Sequence, residues 1–328
     1  MNKIISADNI QRLRVFNEVG SILKRESSII EKDFWVSWIL EKIFADDRIN
    51  KKLCFKGGTS LSKAYHLIER FSEDIDLILS LNVVLQKGEE LNQPSKSKQE
   101  KFNKIIEDRA CNYIQTELKN ILSEILSPIC SVVSVPEDSH ILEIVFPRAC
   151  EYGYIKPNIK LEIGPLALWN PNEVCEITSF VADTLPELGI KNPKISTIKA
   201  ERTFWEKITI LHHENHRPLN SITPARYSRH YYDVFKIGHT EIKNRAFQNV
   251  ELLKEVISFK NRFYPRGWAK YDEAVPGTIK LFPAEHNMKI LSKDYDDMKD
   301  MIYGETPSWE EILNYIVALE KEINSDLI

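Results

Sequence analysis

The stretch FKGGTSLSKAYHLIERFSEDIDLIL (55–79) carries the pattern on which the fold turns. It begins inside a short apolar segment, LCFKGG (53–58), whose composition predicts a strand ending on two glycines. TSLSKAYHLIER (59–70) then predicts a helix, with Leu61, Tyr65 and Ile68 on one face and Thr59 or Ser60 placed to cap it. DIDLILS (74–80) alternates and predicts a second strand. Residues two apart on a strand share a face, so Asp74 and Asp76 project together. Two neighbouring carboxylates repel each other unless a cation lies between them, and an oxygen-only donor set favours Mg²⁺ or Mn²⁺ over zinc. Gly57 and Gly58 permit a tight turn that can aim backbone amides at a phosphate, and Ser60 and Ser72 add hydroxyls. An anion cradle beside a divalent-metal site suits transfer of a nucleotidyl group from an NTP. GGTSLSK is not a P-loop, since no glycine precedes Lys63, and no GxGxxG occurs anywhere.

Outward from this unit, residues 1–50 carry helical periodicity through Ile29, Trp35, Ile39 and Ile43. Residues 82–100 are polar and predict a loop, followed by a long helix over 100–127 that ends before Pro128. CSVVSV (130–135), ILEIVF (141–146) and NIKLEIG (158–164) predict strands. The last alternates, with Lys160 and Glu162 on one face. A third carboxylate completing the metal site is expected on a neighbouring strand; Glu162 is the candidate and Glu143 its rival. From about 195 onward the pattern is helical, broken by prolines, and LPELGIKNPK has the look of a connection. The expected fold class is α+β, with one domain over 1–190 and a mostly helical C-terminal domain over 191–328; the nucleotidyltransferase type of the first domain and its mixed sheet are what the family resemblance described below implies.

The 328 residues carry a net charge of −4, which does not advertise nucleic-acid binding for the chain as a whole. Lys194–His230 departs from this, with seven Lys and Arg against three Glu, and holds four of the eight histidines. Such an island suits a bound anion or a polyphosphate track; a solvated helix face is the plainer alternative. Lys207 sits in a largely apolar helical run, where its charge needs an anion: a triphosphate, Glu206 or Asp233. Arg226, Arg229 and Asp233 share a helical face, as ligand contacts or as an internal brace. HHENH (212–216) puts His212 and His216 at i, i+4, yet lacks the HExxH order and a third ligand, so packed or solvated histidines are expected. Phe204-Trp205 and Tyr231-Tyr232 read as core or as base-stacking rings, and Trp35 and Trp268 as core. Five scattered cysteines without CxxC spacing predict neither disulfides nor a structural zinc site. No apolar run reaches membrane-spanning length and no signal peptide is evident, so a cytoplasmic protein is expected.

These residues also resemble a known family. The 55–79 segment is similar to the first motif of the DNA polymerase β nucleotidyltransferase superfamily. More narrowly, EKDFWVSWIL (31–40), FKGGTSLSK with RFSEDIDL, ERTFWEKITILHH (201–213), RYSRHYYDV (226–234), AVPGTIKLFP (274–283) and DYDDMKDMIYG (294–304) resemble the AbiEii/AbiGii-type nucleotidyltransferase toxins of bacterial abortive-infection and toxin–antitoxin systems. The resemblance implies a polymerase β-like core in which Asp74 and Asp76, with Glu162, bind Mg²⁺. It implies nucleotide binding by Gly57, Gly58, Thr59, Ser60, Lys63 and Ser72, and makes Lys207 the lysine that holds the NTP phosphates. Asp233 would be the family's later acidic residue, and Glu31-Lys32-Asp33 a helix start near the site.

The function expected is Mg²⁺-dependent transfer of a nucleotide from an NTP to RNA, in particular a tRNA 3′ end, with translation blocked and a cognate antitoxin as partner. Arg202, Arg226 and Arg229 are the candidate RNA-binding residues. The alternatives are transfer to a protein or small molecule, or a nucleotide-binding module without catalysis.

Overall fold

The structure, a computed structural model, describes residues 1–72, 74–152, 157–165 and 167–327, with only the backbone at 326. Glu73, inside the RFSEDIDL motif, lies outside the described residues. The chain divides into two compact units, 1–65 with 71–198 and 66–70 with 199–328.

The first unit runs α1 (Asn2–Ile5), α2 (Asn9–Leu23), α3 (Ser27–Ala45), β1 (Leu53–Lys56), α4 (Gly57–Lys63), β2 (Ile75–Leu79), α5 (Lys96–Tyr113) and α6 (Lys119–Leu126). It continues with β3 (Ser131–Ser134), β4 (Ile141–Val145), β5 (Asn158–Gly164), β6 (Asn172–Glu176), α7 (Phe180–Thr184) and β7 (Lys194–Ile198). The strands form one mixed sheet, ordered β3-β4-β5-β2-β1-β7-β6, so the fold is α+β. β2 is central; it runs parallel to β5 and antiparallel to β1. One sheet face carries Leu53, Phe55, Ile75, Leu77, Leu142, Ile159, Leu161 and Ile163, all buried. α3 is apolar nearly all round and is the deepest helix of the unit, with Phe34, Trp35 and Ile39 fully buried. The opposite sheet face is apolar only in part, where Cys54, Ile78 and Ile198 pack beneath Ala167 and Trp169. All five cysteines are free.

The second unit adds α8 (Ala200–Asn215), α9 (Ser228–Gly238), α10 (Glu241–Phe247), α11 (Val250–Phe263), α12 (Met288–Met298) and α13 (Trp309–Asp326) to residues 66–70. Trp205 of α8 stacks on Phe247 at 5.9 Å and donates its indole N–H to the Ala246 carbonyl at 3.2 Å. Among the described residues no helix is long and apolar enough to cross a membrane.

Three expectations are corrected. The helix after the glycines stops at Lys63 instead of running to Arg70. Its would-be continuation is claimed by two cores: the Tyr65 hydroxyl bonds to Glu173 and to the Ile198 carbonyl in the first unit, at 2.9 Å each. Ile68 and Arg70 are buried in the second unit. The connection expected near 190 still belongs to the first unit, because KISTI (194–198) is a strand paired with β1 and β6. β6 itself, NEVCE, gave no strand signal, since its acidic, half-exposed sequence has no apolar alternation.

Candidate active site

The aspartates lie on the partly polar sheet face. Asp76 is directly opposite Lys56 of β1 and Glu162 of β5 in the strand registers, so Lys56, Asp76 and Glu162 form one row across three strands. Ile75 and Leu77 are buried on the other side, whereas Asp74 and Asp76 are half-buried and Glu162 is exposed. Strand register thus brings Asp76 and Glu162 to a common face, and Asp74 stands two residues before Asp76 at the entry to β2. The three carboxylates do not close on one point: among the described residues no three His, Cys, Asp or Glu side chains are grouped tightly enough to hold a metal. The rival Glu143 is engaged by Asn158, whose side-chain amide donates to it at 2.7 Å.

Gly57 explains why the glycine pair precedes these acids. Its φ is +83°, in the left-handed region, and a Cβ built there would lie 2.6 Å from Cγ of Asp76 and overlap its carboxylate. The missing side chain is therefore the space in which the Asp76 carboxylate sits. Gly57→Ala is expected to displace Asp76 and to lower kcat by roughly 100-fold, as a 1 Å misplacement does. The left-handed strain costs about 1–2 kcal/mol of stability. Steady-state kinetics and thermal melting of the same preparation check both numbers.

The hydroxyls expected at the nucleotide are used internally. Thr59 is 1% exposed and donates to the Asp74 carbonyl; Ser60 is fully buried and donates to the Gly57 carbonyl at 2.9 Å. Their protons brace the turn that carries Asp74 and Gly57, which replaces the direct nucleotide contacts expected of them. Ser72 is half-buried in the segment leading into β2.

Lys63 is a further correction. Its ammonium has three protons, and it donates to Asp33 at 2.5 Å, to the Ser37 hydroxyl at 2.9 Å and to the Thr178 carbonyl at 3.0 Å. At 8% exposure, with its donors spent, it has none left for a phosphate. The EKD motif is the other half of this brace. Asp33 also accepts from the Phe180 amide at 2.7 Å, and fully buried Glu31 accepts from the amides of Ala149 and Cys150 at 2.8 and 2.9 Å. Burial raises the Asp33 pKa, although Lys63 opposes the shift. Lys63→Met should therefore cost only about 1–3 kcal/mol, because Asp33 can take up a proton. The affinity of the folded variant for NTP, read by calorimetry, should stay within a factor of two of wild type; a tenfold loss would restore Lys63 to the nucleotide site.

Lys207 and Asp233 lie in the second unit and meet each other. Lys207 Nζ is 2.7 Å from Asp233 Oδ2, and Arg70 binds the same carboxylate through two N–H donors at 2.7 and 2.8 Å. Asp233 is fully buried, and Arg70 and Lys207 are 5% and 6% exposed. Burial alone would raise the Asp233 pKa, but the two cations outweigh it and hold the carboxyl well below its ordinary value. Burial, with Arg70 adding to it, lowers Lys207 despite Asp233. The cluster extends to Arg229 and His230, and through Lys260 to Arg266. Lys260 donates to the Glu206 carbonyl at 3.1 Å; burial, then Arg266 and Lys207, bring its pKa down to about 7 against the pull of Glu206. Positive charge exceeds negative here, which is what an anion site requires.

Arg202 is 1% exposed and paired with Glu206 at 3.1 Å, one helical turn away. Arg226 is exposed and Arg229 half-buried. The HHENH histidines are structural. The Lys280 amide donates to His212 Nδ1 at 3.0 Å, so Nε2 carries the proton and donates to the Lys270 carbonyl at 3.0 Å. Burial lowers the His212 pKa to about 4, keeping the ring neutral. Arg70 and Lys260 were missed in the sequence. Arg70 meets its partner 163 residues away, and the signal open to reading was an arginine within the apolar run around Leu67 and Ile68.

Among solved structures, MenT4, a nucleotidyltransferase toxin from Mycobacterium tuberculosis H37Rv, aligns with a TM-score of 0.44 and 15% identity over 93% of this chain and 98% of that one. JHP933 from Helicobacter pylori aligns with a TM-score of 0.43 and 15% identity over 91% of this chain and 93% of that one. No curated protein matches the chain. The family described as nucleotidyl transferase AbiEii toxin, Type IV TA system, matches residues 38–315. With that match covering most of its length, the chain belongs to the AbiEii family of nucleotidyltransferase toxins of type IV toxin–antitoxin systems.

Proposed function

We propose that this nucleotidyltransferase moves a nucleoside monophosphate from an NTP onto an RNA acceptor, the 3′ end of a tRNA, in a Mg²⁺-dependent reaction that blocks translation and that a cognate antitoxin opposes. The observation that carries this reading is the row Lys56–Asp76–Glu162, with Asp74 beside it and Gly57 vacating the space around the Asp76 carboxylate. The donor set is all oxygen and suits Mg²⁺, which Asp74, Asp76 and Glu162 would hold. Bound there, the ion would offset charge on the attacking and leaving oxygens. In the reaction the acceptor 3′ oxygen bonds to the α-phosphorus, and the bond from that phosphorus to the pyrophosphate oxygen breaks. The 3′ proton passes to a carboxylate, for which Glu162 is the candidate. Gly57 and Gly58, with Ser72, are the proposed nucleotide contacts in the first unit. Lys207, held by Asp233 in the second unit, is the proposed phosphate-binding lysine. Arg226 and Arg229 support the RNA reading.

The test is to incubate the protein with total RNA, Mg²⁺ and each α-labelled NTP, beside an Asp76→Ala control, and to add the product to a cell-free translation reaction. Label in the tRNA fraction from wild type alone, with translation reduced, is the expected result. Label in protein or in a small molecule would overturn the acceptor, and absence of label everywhere would overturn the catalytic reading.

A further inference from the structure

Trp268 does not lie in the core. It is half-buried at the surface of the second unit, as is Tyr227. The guanidinium of Arg217 lies over both rings, 5.1 Å from the Trp268 centroid and 5.7 Å from that of Tyr227. Arg217 is 5% exposed and uses four of its five N–H groups: two go to Glu214 at 2.6 and 2.7 Å, and two, on a third nitrogen, to the Ser221 hydroxyl and the Ile222 carbonyl at 2.9 and 3.0 Å. His213 meets Trp268 edge to face at 5.4 Å and takes the Tyr271 hydroxyl at 3.2 Å. Two surface rings are thus fixed from beneath by a buried ion pair. Rings held this rigidly lose little entropy when a flat ligand stacks on them.

The rim supplies the matching charge. The exposed Arg266 also lies over the Trp268 ring, its guanidinium 5.8 Å from the centroid, and the half-buried Arg229 follows two residues after Tyr227. The platform also continues into the Lys207–Asp233 cluster of the same unit. Tyr227 contacts the His230 ring at 5.0 Å, and His230 lies in the field of Lys207, Arg229, Asp233 and Arg70. Its Nδ1 is buried without a hydrogen-bond partner, an unmet group at the border between rings and cations. Flat rings with cationic side chains beside them match two parts of a nucleotide, the base and the phosphate.

We propose that Trp268 and Tyr227 form a stacking platform for an unpaired base of the acceptor RNA, with Arg266 and Arg229 on its phosphates. The proposal rests on the RNA-acceptor reading above and assigns that acceptor a place on the second unit. A base stack strengthens binding by roughly 5- to 150-fold.

The probe is a single-stranded oligoribonucleotide carrying 2-aminopurine next to its 3′ end, titrated into the full chain and followed by fluorescence quenching. The same RNA serves as acceptor for KM and kcat. Trp268→Ala should raise Kd and KM for this RNA about tenfold or more, with kcat and the KM for NTP within about threefold; Trp268→Phe should restore most of the loss. Arg266→Ala should lower the salt slope of binding by about one. A folded Trp268→Ala protein with wild-type RNA affinity overturns the platform, as does a loss confined to NTP. If Trp268→Ala fails to fold, an unchanged salt slope in Arg266→Ala overturns it instead. Wild type that labels RNA while these variants match it sinks the platform alone. Wild type that neither binds nor labels RNA sinks the acceptor reading, and the platform with it.

Discussion

Asp76→Asn should leave a folded protein that transfers nucleotides at least about 1,000-fold more slowly than wild type. The substitution keeps the shape of the side chain and removes one charge. That charge stands where the sheet places it beside Glu162 in register and two residues from Asp74. In the proposed reaction Asp76 is a ligand of the ion that offsets the pyrophosphate, and an amide cannot replace it at comparable strength. Stability should not fall, because Asp76 is half-buried and its neighbours include other carboxylates; removing one of several like charges relieves repulsion. The pairing of outcomes matters more than either alone. A large loss of rate with an unchanged melting temperature marks a group that serves chemistry, whereas Lys63→Met is expected to show the reverse. Single-turnover transfer of labelled NMP reads the rate. A variant retaining a tenth of wild-type activity would end the assignment of Asp76 to the metal site.

What could be read from the sequence was governed by how local each signal was. The strand–glycine–acid pattern of 53–79 depends on neighbours along the chain, and β1 and β2 came through, with β2 starting one residue after Asp74. The strands at 131–134, 141–145 and 158–164 were legible from their local pattern, while the α+β fold with a mixed sheet was what the family resemblance implied, and the structure has it. The side-chain roles were less legible. Thr59, Ser60 and Lys63 are the residue types that a phosphate site uses, and they are also the types that brace a turn; only their burial and partners separate the two uses. Ser37 and Thr178, which take the Lys63 protons, gave no sign of that role in a linear reading. Arg202 shows the same ambiguity. On charge alone it belongs to the basic island, but the apolar residues around it pull the whole turn of α8 inward, and Glu206 one turn on takes up its charge. Lys207 needed an anion, as expected, and its partner in the structure is Asp233, one of the three anions the sequence offered. The division at 198 rather than 190 was hidden because KISTI is too short to announce a strand ahead of a long helix.

Asp233→Ala should destabilise the second unit by about 3–5 kcal/mol, because it removes the carboxylate that two buried cations share. Arg70 and Lys207 both spend their charge on this carboxylate, and neither can reach water without moving. Lys207→Met should cost clearly less, since it leaves the two-bonded Arg70–Asp233 pair intact. The ordering of the two variants therefore tests the geometry rather than the mere presence of charge. The pH dependence follows from the depressed Asp233 pKa. Unfolded Asp titrates near pH ~3.9, so the stabilisation is complete above about pH 4 and is lost as the pH falls from there toward the folded value. Below that window, wild type and Asp233→Asn should converge in stability; at pH ~7 they should be furthest apart. Urea denaturation of both proteins between pH ~3 and ~7 measures this directly. A difference that stays constant across the range, or an Asp233→Ala cost below about 1 kcal/mol, would mean that Arg70 and Lys207 are solvated in solution. In that case the cation cluster would be open to phosphate without Asp233 as its anchor.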